Sequence, residues 1–438
     1  MQKDKSKMTV VQITLLTAIN MMGSGIMMLP AKLAEVGTIS IISWLVTAGG
    51  ATALAYVFAK CGMFSKKSGG MGGYAEYAFG KTGNFLANYT YGISLLIANV
   101  AIAITVVGYS AEFFSVTLSP VMVALLTMAV LWITSLLNAG GARLTGRLSS
   151  FAIFGSAAPV IGMCLIGWFW FDPSLYISAW NPYHYPFSDA VSMSISMTLW
   201  TFLGLESACA NMDSVENPEK NIPIAVLTST LGTALIYILS TSMIAGIVPN
   251  EELAASTAPF GLAFSVMLGG TAGKIVIALM VMACFGSLLG WQFTIARVFC
   301  SSAREGYFPR LFKKVTADDV PLAGLLVITG FQTVLAMMTI SPTLTAQFNI
   351  LVDLAVVTNI VPYLLSMASI GAILRSSGVS VRQIRFTSWI AAAAILYNIY
   401  ALYTTGPEAL AWGGVLTLAG WILYGLLRKR LSLASIRD

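Results

Sequence analysis

The chain is built from long apolar runs separated by short polar breaks. The runs fall at about 10–37, 38–62, 84–113, 119–139, 147–171, 189–211, 222–248, 272–303, 321–341, 345–374, 383–404 and 408–427. A membrane-crossing helix needs ~20 mostly apolar residues, and each run meets that length. The pattern predicts an all-α polytopic membrane protein with twelve transmembrane helices. An even number of crossings puts both ends on one side. The opening Met-Gln-Lys-Asp-Lys carries no small-residue cleavage site, and the first run is too long for the apolar core of a signal peptide. No stretch between runs is long enough to suggest a separate soluble domain.

Composition agrees with the pattern. Apolar residues make up 57% of the 438 positions and charged residues 10%, against roughly 45–50% and 25% in soluble proteins. The net charge of +6 changes meaning once the bases are sorted. Twenty-one of the 24 Lys and Arg residues, among them Lys66, Lys67, Arg143, Arg147, Arg304 and Arg375, fall on one side of the predicted membrane. Lys32 and Lys274 fall opposite, and Arg297 lies within a run. The positive-inside rule makes the crowded side cytoplasmic, with both termini inside. The bases are spread over every inner loop, which argues against a nucleic-acid partner. Trp168 to Phe171 close the fifth run where interfacial aromatics are expected.

Catalytic and metal chemistry is poorly supplied. The single histidine, His184, lies in an outer loop, and Cys61, Cys164, Cys209, Cys284 and Cys300 have no metal-ligand spacing. No cofactor or metal is expected, and an enzyme is disfavoured for want of a nucleophile–base pair in the spans.

Two runs carry helix-breaking chemistry. The first contains Asn20-Met-Met-Gly-Ser-Gly-Ile26, where each glycine weakens a helix by about 1 kcal/mol relative to alanine. Such a motif serves either close helix contact or a break lining a protein cavity, since freed backbone groups cannot face lipid. The sixth run contains Trp200-Thr-Phe-Leu-Gly-Leu-Glu206. A carboxylate at that depth costs at least ~2.5 kcal/mol to insert and points to function. Breaks in the first and sixth helices match an inverted repeat of five plus five helices around a central site. The expected organisation is a cytoplasmic N-terminus (1–9), a first five-helix repeat (10–171), a second (172–374), two accessory helices (375–427) and a cytoplasmic C-terminus (428–438). A closed site between broken helices also argues against a channel, which needs rings of polar groups along a pore.

The chemistry of the breaks selects a ligand. Free N–H groups at a helix start suit a carboxylate, while unwound carbonyls and Glu206 suit an ammonium group. Trp200 and Trp291 could hold a second cation face-on or simply pack. The ligand implied carries amines together with a carboxylate.

Asn20-Met-Met-Gly-Ser-Gly25, Phe202-Leu-Gly-Leu-Glu-Ser-Ala208, Glu216-Asn-Pro-Glu-Lys-Asn-Ile-Pro-Ile224, Ala258-Pro-Phe-Gly261 and Gly286-Ser-Leu-Leu-Gly-Trp291 resemble the basic amino acid/polyamine antiporters of the amino acid–polyamine–organocation superfamily. Lys60-Cys-Gly-Met-Phe, Gly69-Gly-Met-Gly-Gly-Tyr-Ala-Glu-Tyr-Ala-Phe-Gly80 and Asn88-Tyr-Thr-Tyr-Gly92 look closest to the branch that exchanges putrescine for ornithine. The resemblance spans essentially the whole chain. It implies an antiporter in the bacterial inner membrane working by alternating access. Lysine/cadaverine, arginine/agmatine and histidine/histamine exchange remain the rival pairs. It also implies homodimers, coupling to a cytoplasmic decarboxylase and, through Glu206, proton-linked diamine uptake.

The resemblance carries roles onto individual positions. The backbone at Met21, Gly23, Ser24 and Gly25 would take the α-carboxylate and α-amine, with the carbonyls of Trp200 and Leu203 helping the amine. Trp200 would cap the substrate, Trp291 would stack near its distal end, and Glu206 would couple or gate. Tyr91 and Tyr363 look like gate positions, and Asn99 is expected to face the distal pocket. Cys61, Glu76 and Tyr424 match the branch in residue type, and Glu76 reads equally as a solvated loop acid. Two departures stand out. Cys300 occupies a position where relatives carry lysine, and Arg297 lies three residues earlier on the same helix face. Arg297 either snorkels to the interface or replaces that lysine as a partner for the amino acid carboxylate. Asp353 stands where the branch has an amide. It would favour a second ammonium, pair with Arg297, or sit at the interface.

Overall fold

The computed structural model describes residues 9–67, 70–206, 215–316, 320–338, 340 and 343–434. Its helices are α1 (Val10–Met21), α2 (Ser24–Ala34), α3 (Ile41–Phe64), α4 (Met71–Phe113), α5 (Pro120–Leu137), α6 (Gly141–Ile166), α7 (Pro173–Ser178), α8 (Phe187–Ser192), α9 (Ile195–Trp200) and α10 (Pro218–Ala245). They continue as α11 (Asn250–Ala255), α12 (Pro259–Leu268), α13 (Gly270–Arg304), α14 (Leu322–Met338), α15 (Leu344–Ser376), α16 (Val381–Thr404) and α17 (Gly406–Ala434). Among the described residues nine helices are long and apolar enough to cross a bilayer, and α14 is a shorter apolar helix of 17 residues.

The difference from twelve continuous runs has local causes. The first run divides into α1 and α2 at Met22 and Gly23. The sixth stops at Trp200 and turns through residues 201–206. Ser207–Ala208 and Cys209 of the sixth run lie outside the described residues, as do the first eight and last four residues of the predicted cytoplasmic ends. The third run matches α4, which Gly80 divides by a non-helical φ of 62°. Ahead of Gly80, Glu76 pairs with Lys67 at 2.8 Å and accepts from Asn84. Glu76 therefore belongs to the polar end of this helix and not to the central cavity.

Helix starts follow ordinary capping chemistry. Thr9 and Gln12 form a reciprocal capping box on α1, and the Ser119 and Thr343 hydroxyls accept from Met122 and Ala346 N–H groups at the starts of α5 and α15. Asp172 caps α7 in the same way, and bonds from the Ser174 hydroxyl and N–H hold its carboxyl below the usual carboxylate range.

The distribution of polarity is that of a protein in lipid. Leu165, Trp389 and Leu418 are more than 60% exposed, whereas Thr47, Asn99, Thr198, Gln292, Gln332 and Ser366 are fully buried. With no water at membrane depth, polar groups turn inward to find partners. Trp168 and Phe169 are exposed, as expected of interfacial aromatics. The core is centred on α4, which packs along α15 and α13, while α10 lies against α1 and α3. The loop after α7 is stapled to the junction of the first and second runs, with Thr38 and Ile39 N–H groups donating to the carbonyls of Ala179 and Trp180. α2 and α9 pack directly against each other.

Candidate substrate site between two helix breaks

At the first break, α1 ends at Met21 and the chain crosses Gly23 in an extended conformation (φ −84°, ψ −152°) before α2 begins. No side chain caps α2, so its first N–H groups form a bare, partly positive helix start. On the α1 side, hydroxyls occupy the carbonyls. Tyr237 donates to Met21 at 2.7 Å and Ser156 donates to Met22 at 3.2 Å.

At the second break, Gly204 adopts a φ of +109°, a region that glycine enters without steric cost. That conformation lets the Gly204 N–H donate to the Glu206 carboxylate at 3.1 Å. Two phenols complete the acid's shell. Tyr91 donates to Oε1 at 3.2 Å and Tyr363 donates to Oε2 at 2.8 Å. Glu206 is 9% exposed, so a deeply placed carboxylate is held by three donors, with no ion pair among the described residues. Tyr237 also reaches Thr201 O at 3.4 Å, so one phenol touches both breaks.

A small cavity opens between the breaks, with about 480 Å³ of non-atom space when the part open to solvent is included. Met21, Gly23, Gly25, Tyr91, Trp200, Leu203, Glu206 and Trp291 line it, so the structure brings together these sequence-predicted residues. Trp200 lies against Gly25. A Cβ there would stand 3.0 Å from the indole Cδ1. Ser24 starts α2, but its side chain lies outside the described residues.

Other candidates sit off the cavity wall. Tyr363 acts from behind, through Glu206. Asn99 is fully buried and donates to Gln292 at 3.3 Å without lining the cavity, so it does not face the distal pocket directly. Asp353 accepts from Ser196 of α9 at 2.7 Å and is not among the residues that line the cavity. The Arg297 guanidinium lies 5.2 Å from the Phe293 ring centre. Cys61 directs its thiol toward Ser366 O. Tyr424 packs on Phe85 and Tyr307, in an aromatic cluster separate from the cavity lining.

Sequence reasoning missed Ser94 and Asn359, which line the cavity, and Tyr237, Gln292 and Gln332, which brace it. Single polar residues in apolar runs were their only signal.

A helical membrane protein with a largely apolar cavity between two broken helices, holding one buried carboxylate, is built as a carrier of small molecules. The chain belongs to the amino acid permease family, whose model matches residues 8–426. It is 62% identical over 433 residues to the putrescine transporter PotE of Haemophilus influenzae, covering 99% of this chain and all of that one. It is likewise 62% identical over 432 residues to PotE of Escherichia coli, covering 99% and 98%. The cadaverine/lysine antiporter of Escherichia coli is 32% identical over 372 residues, covering 83% and 82%. These relatives are transporters, not enzymes, and no group of three metal-ligating side chains occurs among the described residues.

Proposed function

We propose that the protein exchanges putrescine for ornithine across the bacterial inner membrane by alternating access around the cavity. The observation that carries this reading is the Glu206 carboxylate held inside a cavity between two helix breaks. The uncapped start of α2 offers N–H groups for the ornithine carboxylate, and Glu206 offers an anion for an ammonium group. Putrescine satisfies the acid and needs no carboxylate partner, so one cavity serves both. The full-length likeness to putrescine transporters supports the choice of diamine.

At neutral pH ornithine carries about one net positive charge and putrescine about two. Ornithine uptake against putrescine export therefore moves one positive charge outward per cycle, which fits supply to and removal from a cytoplasmic decarboxylase. The same carboxylate suits proton-linked putrescine uptake. The architecture that goes with this mechanism is twelve spans in two inverted five-helix repeats plus two accessory helices, both termini cytoplasmic, assembled as a homodimer.

In this reading Trp200 caps the substrate, Trp291 faces its distal end, and Tyr91 and Tyr363 hold the gate acid. Arg297 stands six residues, or roughly 9 Å along a helix, beyond Trp291 and would meet the amino acid carboxylate on its inward path. Cys61 and Tyr424 belong to that inward path as well.

Counterflow in proteoliposomes tests the proposal. Vesicles loaded with putrescine should accumulate labelled ornithine and cease to do so when emptied of trans substrate. A second reading, exchange of lysine and cadaverine, is favoured by the antiporter relative. Accumulation of labelled lysine and cadaverine in preference to ornithine and putrescine would select it.

A further inference from the structure

Trp200 is the last residue of α9, a half-helix of six residues that leads into the second break. A helix that short is not stable by itself, so its neighbours α3, α15 and α16 must fix it. On one side they do so with buried hydroxyls. Thr198, in the middle of α9, stands 2.7 Å from Thr47 of α3, and both are fully buried. Tyr397 of α16, itself 8% exposed, donates to Thr47 at 3.2 Å. A Cβ on Gly50 of α3 would run into the Tyr397 ring, so the glycine leaves the slot in which that ring lies. Three residues further along α16, the Tyr400 hydroxyl stands 2.9 Å from the Ser192 hydroxyl at the end of α8.

The chain of hydroxyls runs one way. A hydroxyl has a single proton to donate. That of Thr198 returns to the carbonyls of Ser194 and Ile195, at 2.9 and 3.0 Å, which can only accept. Thr47 must therefore donate to Thr198, and with its proton committed it can only accept from Tyr397. The result is a relay from Tyr397 through Thr47 and Thr198 to the backbone at the start of α9. Each bond in such a buried chain polarises the next. Tyr397, Thr47 and Thr198 are absent from the cavity lining, whereas Trp200 is part of it.

We infer that Tyr397 is a positioning residue for Trp200: its hydroxyl, acting through Thr47 and Thr198, sets the seat of α9 and with it the indole that caps the substrate. This rests on the proposed exchange around the cavity and adds to it a role for α16, which lies outside both of the proposed five-helix repeats. Any shift of α9 that re-aims Trp200 must part this relay or carry α3 and α16 along with it. Without the Tyr397 hydroxyl the Thr47–Thr198 bond loses its polarising donor, and α9 loses its tie to α16 at this level. Because Trp200 caps whichever substrate is bound, both substrates should be affected alike.

The test is counterflow in proteoliposomes with labelled putrescine and labelled ornithine. Tyr397→Phe keeps the ring in its slot and removes the hydroxyl, so the KM of both substrates should rise by the same factor, about two- to tenfold for one neutral hydrogen bond. Thr47→Val should do at least as much, whereas Thr47→Ser keeps the relay and should stay near wild type. Tyr397→Phe/Thr47→Val should be no worse than Thr47→Val alone. Binding of labelled putrescine to the detergent-solubilised protein supplies a reading that a merely structural role would not give. In a Trp200→Leu background, Tyr397→Phe should cause no further loss of binding. A lower melting temperature with unchanged KM values would make the relay a structural one and overturn the inference. So would an equal loss from Tyr397→Phe with and without Trp200, additive losses in the double variant, or a Thr47→Ser that behaves like Thr47→Val. Should the Thr47 variants fail to fold, the Tyr397–Trp200 comparison decides alone. Failure of wild type to exchange putrescine would instead reject the functional reading, and the same comparison would be read with cadaverine.

Discussion

The Tyr363 hydroxyl donates to the Glu206 carboxylate across 2.8 Å, joining α15 to the turn that interrupts the sixth apolar run. Tyr91 of α4 reaches the other oxygen at 3.2 Å. The acid thus links the α4–α15 pair, the most extensive helix packing among the described residues, to a segment that is not helical. An ammonium bound to Glu206 would compete with these phenols, which stand on two long helices.

Replacing the acid tests that link. Glu206→Gln keeps the shape but substitutes a donor group for one accepting oxygen. A hydrogen bond to a charged group contributes about 1.5–3 kcal/mol, so the putrescine KM should rise about ten- to hundredfold. Tyr363→Phe should raise it less, because the carboxylate keeps Tyr91 and the Gly204 N–H. Unchanged putrescine KM in Glu206→Gln proteoliposomes would remove the acid from substrate binding.

Trp200 depends on the absence of a side chain at position 25. An added Cβ would lie 3.0 Å from Trp200 Cδ1 and 3.2 Å from the Thr201 Cα, with backbone on one side and a packed indole on the other. Overpacking of that kind costs about 1–3 kcal/mol, so Gly25→Ala should weaken substrate binding about five- to hundredfold. At Gly23 the nearest atom is the Ser287 hydroxyl at 3.2 Å, which can rotate away. Gly23→Ala should therefore be the milder change. Equal KM values for the two variants would show that Trp200 does not rest on position 25.

Much of this arrangement was legible along the chain, for physical reasons. Lipid requires a continuous apolar run for each crossing, so the helices announced themselves. A glycine–serine–glycine break and a mid-run carboxylate are costly enough to stand out, and both lead to the cavity. Direction around a helix was not legible. Asp353, Cys61 and Tyr424 attracted attention by residue type, yet tertiary packing turns them to Ser196, Ser366 and Phe85, and Arg297 lies over Phe293 one turn away on its own helix. Gln292 and Gln332 were invisible because each has its partner 40 positions away. Tyr237 is separated from Met21 by 216 positions.

Tyr237 is expected to matter for stability before it matters for chemistry. Its ring is fully buried, and its hydroxyl satisfies the Met21 carbonyl exposed by the first break. Tyr237→Phe removes this bond and the longer one to Thr201 O, leaving Met21 O with the Gly23 N–H at 2.8 Å, at a cost of about 0.5–1.5 kcal/mol for the lost hydrogen bond. The melting temperature in detergent should fall, and bound putrescine should restore part of the loss, because a ligand that binds only the folded protein stabilises it. An unaltered melting curve would mean that the Gly23 N–H alone satisfies the carbonyl.

Asp353 separates two roles through the atoms each one needs. One oxygen accepts from Ser196 at 2.7 Å, joining α15 to α9 on the far side of Trp200 from the helix break. An asparagine keeps an accepting oxygen for that bond but removes the charge; a leucine removes both and leaves a buried hydroxyl without its partner. If the bond positions α9, Asp353→Asn should exchange at near the wild-type rate, whereas Asp353→Leu should be slowed about two- to tenfold, the worth of one neutral hydrogen bond. If the charge instead attracts the second ammonium of a diamine, Asp353→Asn should already raise the putrescine KM while sparing ornithine. Because Asp353 does not line the cavity, the first pattern is the expected one. Putrescine and ornithine KM values measured side by side for both variants decide it, and a selective loss of putrescine affinity in Asp353→Asn would reassign the residue to substrate recognition.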